Sequence, residues 1–224
     1  MQKAIGFLAV IVIGLGLSGC STATTYTVKV NGYTDPVKSA PVKPGGFFCV
    51  IANKEAKNPL LDAEVQGKIT RLLEMRGYPV TTFDKADYYL LFAYGMGEPR
   101  SVSTAAPDYY GGIGWGLGYG GAWGGWGGPS VYVGMPWGGY PSDTATLYDR
   151  WLLIKVVPGP AYRARQDTPP VWVGDARSVG ASSDLRTVLN YLLVANFKEF
   201  GKNTGKAVTM SIDAQNPEAA ALTR

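Results

Sequence analysis

The 224-residue chain contains no histidine. That absence removes the Ser-His-Asp triad, the Cys-His pair and any zinc site that needs imidazole. Cysteine is nearly as scarce, with only Cys20 and Cys49. Two thiols make at most one bridge, and none if Cys20 is modified, so a disulfide-stapled secreted scaffold is excluded. Charge is also thin, at 17% of positions. The formal net charge is +4, and it falls to +3 if Lys3 is removed with an N-terminal leader. That balance is too mild to point to nucleic acid. No apolar run reaches the roughly 20 residues that span a bilayer. With 46% hydrophobic positions the chain is neither a polytopic membrane protein nor a generally disordered one.

The N-terminus carries an address. Lys3 precedes an apolar stretch over residues 4–17, followed by Leu17-Ser18-Gly19-Cys20. A short basic end, an apolar centre and small residues before a cleavage point make a secretory signal over residues 1–19. The Leu-Ser-Gly-Cys ending resembles the bacterial lipobox. The resemblance implies a diacylglycerol thioether on Cys20, cleavage before it, and an acyl chain such as palmitate on the new amine. Several chains anchor stably where one is marginal. A membrane-spanning anchor is the competing reading, but residues 4–19 are too short for it. Ser21 follows the cysteine. Under the sorting rule of enteric bacteria, the absence of Asp there implies the outer membrane, with the protein facing the periplasm.

The composition divides the rest. Residues 20–46 read as a lipidated tether, with Pro36, Pro41 and Pro44 opposing regular structure. Residues 47–212 read as a single α+β (or α/β) domain, a mixed sheet covered by two helices. Residues 47–52 form a short buried strand, within which Cys49 reads as a small hydrophobe rather than a reactive thiol. Asn58 caps a helix that Pro59 opens and Gly77 stops, with Leu61, Val65, Ile69, Leu72 and Leu73 on its apolar stripe. Residues 87–94 make a central strand. Residues 147–157 and 171–177 pair antiparallel, with Asp149–Arg177 or Arg150–Asp175 as expected cross-strand ion pairs. Ser183 is the expected cap of a second helix carrying Leu185, Val188, Leu189, Leu192, Leu193 and Phe197. Residues 206–212 supply a final strand, and 213–224 a loose tail.

Residues 101–142 interrupt this pattern. They hold one charge, Asp108, and glycine fills 14 of the 29 positions from 111 to 139. Glycine at that density costs too much backbone entropy for a packed element, so the insertion is low complexity. It carries four of the six tryptophans. Trp115, Tyr119, Trp123, Trp126, Tyr132 and Trp137 form the candidate binding surface, since aromatic rings with polar edges suit interfaces. A ligand-free solvent loop and self-association through the Gly/aromatic pattern remain open. Gly114-Trp115-Gly116-Leu117-Gly118 is not a phosphate-binding loop, because no P-loop lysine accompanies it. No cofactor or metal motif is present.

The helix ending Leu72-Leu73-Glu74-Met75-Arg76-Gly77-Tyr78 carries a family likeness. So do Ala86-Asp87-Tyr88-Tyr89-Leu90-Leu91 and Val171-Trp172-Val173-Gly174-Asp175-Ala176. Together they resemble the bacterial envelope lipoproteins with the domain of unknown function 4136, over residues 45–205 apart from the insertion. The family often has arginine where this chain has Val173. The resemblance implies a lipid-anchored α/β domain without an established activity. The reading that follows is a non-enzymatic binding or envelope-assembly module, with no catalytic residues. It would be membrane-bound through Cys20 and have an envelope protein or glycan as its partner. The alternatives are self-association through the insertion, or a carboxylate hydrolase of envelope polymer using Asp84, Asp87, Glu98 and Asp143.

Overall fold

A computed structural model describes residues 24–34, 42–53, 56–103 and 144–223. Among these described residues, seven strands form one mixed sheet. In chain order they are β1 (Thr25–Tyr33), β2 (Phe48–Ile51), β3 (Tyr88–Met96), β4 (Arg100–Ser103), β5 (Thr144–Pro158), β6 (Trp172–Gly180) and β7 (Val208–Asp213). Six lie side by side in the order β2-β3-β5-β6-β1-β7, and β4 pairs with the outer part of β5. Among the described strands only β2 and β3 run parallel, joined by the helix α1 (Pro59–Met75). Three more helices follow: α2 (Gly159–Ala164), α3 (Leu185–Lys198) and α4 (Pro217–Ala221).

The α1 boundaries follow from side-chain chemistry. The Asn58 side chain accepts from the Leu61 N–H at 3.1 Å, Pro59 occupies the first turn, and Gly77 takes a φ of 77° just past the end. Val65, Ile69, Leu72 and Leu73 are fully buried against the sheet. α3 is more enclosed than a one-sided stripe requires, because residues 188–197 are all buried. It packs on β1, β5, β6 and β7 and also touches α1 and α4, so little of its circumference meets water. The indole of Trp172 points into this layer, and its Nε1 donates to the Lys202 carbonyl at 3.0 Å.

Four expectations are corrected. Residues 25–33 are not tether but an interior strand. Val28 and Val30 face the core with 0% exposure and Tyr26 stacks on Tyr191 at 3.8 Å, while Thr25, Thr27 and Lys29 alternate to the other side. The end of the chain is not loose, because Asn216 caps α4, and Ala219 and Leu222 are buried. The cap of α3 is Asp184, whose carboxylate accepts from the Thr187 N–H at 3.0 Å, rather than Ser183. Residues 101–103 belong to β4 and not to the insertion.

Neither expected cross-strand ion pair forms, for reasons of register. Asp149 stands opposite Val179 and Arg150 opposite Ser178. Asp175 instead pairs with Arg177, two residues on along the same face of β6, at 3.2 Å.

Candidate functional site

Strand directions gather several chain features at one end of the sheet. β1 begins there and β7 ends there, with Thr25 opposite Asp213. β6 also ends there, with Gly180 opposite Tyr148 of β5. β5 extends beyond that point, and β4 lies along the extension from Arg100↔Leu147 to Ser103↔Thr144. The two strands form an arm past the edge of β6. Residues 104–143 therefore leave and return at paired positions about 5 Å apart. An ion pair between Arg100 and Asp149 holds the base of the arm. Both partners are partly exposed, so the pair is worth less than about 1 kcal/mol.

The N-terminal segment enters at this same end. The Thr24 carbonyl accepts from the Ala214 N–H at 2.8 Å, which ties the first described residue to the turn after β7. Cys20 is four residues earlier, so it lies within about 14 Å of Thr24 along the fully extended chain.

The two faces of the sheet differ. α1, α3 and α4 cover one of them. Among the described residues, only α2 and the turn at Phe83–Lys85 pack on the other, where Tyr162, Tyr89, Val157 and Ala86 form a small second cluster. The rest of this face carries Leu91, Trp151, Leu153, Val173 and Val179 among Asp149, Lys155, Asp175 and Arg177. Trp151 lies against Gly95, where an added Cβ would stand 2.7 Å from the indole.

Cys20 and the six aromatic residues Trp115, Tyr119, Trp123, Trp126, Tyr132 and Trp137 lie outside the described residues, as does Asp143. The remaining carboxylates do not converge. Asp87 precedes β3, where its Oδ2 accepts from the Phe47 N–H at 2.9 Å, and Asp84 sits three residues before it. Glu98 follows the far end of β3. The intervening nine-residue strand spans roughly 27 Å. Paired glycosidase carboxylates stand about 5–9.5 Å apart, so Glu98 cannot partner Asp84 or Asp87. Cys49 is half-buried rather than enclosed, because its side of β2 meets only the small second cluster; burial pushes its thiol up. Among the described residues no group of acidic side chains and cysteines is placed to hold a metal. No described helix is long and apolar enough to cross a membrane.

One residue of this end was misread from sequence. Arg150 is 3% exposed and points into the helix-covered side of the sheet. The signal was its alternation with Leu152, Ile154 and Val156, which places a guanidinium in an otherwise apolar row.

No family model matches the chain, and no curated protein matches it. Among solved structures it is similar to the PelC dodecamer from Paraburkholderia phytofirmans in two crystal forms. One is a single-substitution variant, with 10% identity, a TM-score of 0.38, and coverage of 78% of this chain and 98% of that one. The other has 10% identity, a TM-score of 0.39, and coverage of 79% and 99%. A PDZ domain protein from Parabacteroides distasonis is similar at 11% identity and a TM-score of 0.41, over 85% of this chain and 40% of that one. These are likenesses at low TM-score, and they carry no argument about what this chain binds.

Proposed function

We propose that the protein is a non-enzymatic lipoprotein of the bacterial envelope, anchored in the outer membrane through acyl chains on Cys20 and facing the periplasm. In this reading it binds an envelope partner at the membrane-facing end of its sheet. One observation carries the reading: the N-terminal strand enters at the same end from which residues 104–143 leave and return. An anchor at Cys20 would hold that end toward the bilayer, and the sparsely charged, aromatic-rich insertion with it. Tryptophan and tyrosine suit such a place, since their rings bury apolar area while their N–H and O–H groups stay hydrated. The lipobox and the likeness to envelope lipoproteins support the same address.

The test has two arms. Labelled fatty acid should enter the wild-type chain and not Cys20→Ala; equal labelling of both would remove the anchor. Envelope crosslinking should yield a product that disappears when residues 104–143 are replaced by a tight turn. An unchanged pattern would make the insertion a spacer and move attention to the sheet face around Trp151. A product containing only this chain would favour self-association.

A further inference from the structure

Arg150 is a buried cation without a counter-ion among the described residues. Its Nη1 donates to the Ser182 carbonyl at 2.9 Å, and Nη2 reaches Ser178 Oγ only at 3.4 Å. Nε has no partner. No carboxylate among the described residues stands within ion-pair distance. Taking a guanidinium out of water is costly, and a carbonyl and one long hydroxyl contact offset only part of that cost. Burial pulls its pKa down, but arginine starts so high that it stays charged.

The guanidinium borders a cleft of about 260 Å³ at the insertion end of the sheet, between the start of β1 and the turn that follows β6. Thr24, Thr25, Thr27, Ser178 and Ser182 line the cleft with it. Gly180 makes room for the head group, since a Cβ there would stand 2.6 Å from Nη2. A fixed planar cation beside a polar cleft complements a tetrahedral oxyanion, which accepts several hydrogen bonds at once. The cleft also opens beside Thr24, at most about 14 Å of chain from Cys20.

From this geometry we propose that the Arg150 cleft binds a phosphate group, supplied by a phospholipid headgroup or by free phosphate. The headgroup source rests on the anchor at Cys20; the phosphate site itself does not. A headgroup seated there would fix the orientation of the domain on the bilayer, which a single attachment point at Cys20 does not do.

The experiment uses the mature protein in maltoside micelles, with thermal melts at constant ionic strength. Inorganic phosphate should raise the melting temperature saturably where chloride does not. Arg150→Gln and Thr24→Glu, the second placing a carboxylate on the exposed rim, should each weaken the effect at least tenfold. If Arg150→Gln does not fold, Thr24→Glu decides. The source is read from dihexanoyl-phosphatidylglycerol compared with dihexanoylglycerol, which lacks the phosphate. Half-maximal effect at tenfold lower concentration than inorganic phosphate identifies the headgroup, and parity with inorganic phosphate identifies the free ion. No saturable shift with either phosphate compound, or the same shift in the folded variants, overturns the site. Failed labelling of Cys20 would leave this titration intact, and a flat titration would leave the anchor standing.

Discussion

Gly174 and Asn196 show how closely single residues are fitted between the sheet and α3. Asn196 is fully buried, and neither polar atom of its side-chain amide has a partner among the described residues. A Cβ at position 174 would stand 2.2 Å from its Oδ1 and 2.3 Å from Trp172 Cη2. Gly174→Ala should cost about 1–3 kcal/mol through overpacking. Adding Asn196→Ala should recover part of the loss and leave the Trp172 contact, so denaturant melts of the four proteins in the cycle should show favourable coupling. Asp184 gives a prediction of a different kind. Hydrogen bonds from Thr187 hold its carboxyl below the ordinary value. A depressed folded pKa contributes stability above the unfolded value, near 4, and that stability fades as pH falls through the folded value. Asp184→Ala should cost about 1 kcal/mol at pH 7 by loss of the cap, and less at pH 3. Asp184→Asn should keep most of the cap and lose its share of the acid sensitivity, as thermal melts at the two pH values would show. The sequence held a clue to Arg150 but not its meaning. An arginine in the row of Leu152, Ile154 and Val156 conflicts with the strand pattern, yet Ser182, which receives it, lies 32 residues away on a turn whose position only the fold sets.

At the scale of elements, α1 was legible because its cap, its opening proline, its stripe and its closing glycine all lie within 20 consecutive residues. β1 was not, because only Tyr26, Val28 and Val30 make its inward row and prolines follow at 36, 41 and 44. Its partners are β6 and β7, nearly the whole chain away, so no local pattern announces them. The helical stripes predict their own disruption. Leu72→Asp or Leu193→Asp places a carboxylate where exposure is 0%, at a cost of several kcal/mol, and neither variant should give a cooperative melt at 37 °C or above. The β4–β5 arm predicts tolerance instead. Ser103 and Thr144 are directly paired, so Asn-Gly in place of residues 104–143 suits a two-residue hairpin. Loop closure costs about 0.6 kcal/mol more for each doubling of length, so the shortened protein should melt no lower than the full chain. A large drop would mean that the removed residues pack against the domain. The candidate aromatic site was legible as composition only, since glycine at that density leaves no periodicity from which to infer placement.

For the molecule as a whole, the sheet is closed by its own two ends. Among the described strands β7 pairs with β1 alone, and β1 fills the gap between β7 and β6. Lys29 and its partner Arg177 are 148 residues apart, and Val28 and Met210 are farther still. A sheet organised this way is slow to form, because long loops must close before these contacts reward closure. A chain that crosses a membrane N-terminus first, as the proposed envelope address requires, would release β1 long before either neighbour emerged beside it. The earliest strand to emerge would therefore wait as an open edge until nearly the last residue followed. The topology would keep the chain threadable throughout its passage, and would leave that edge in need of a chaperone on the far side.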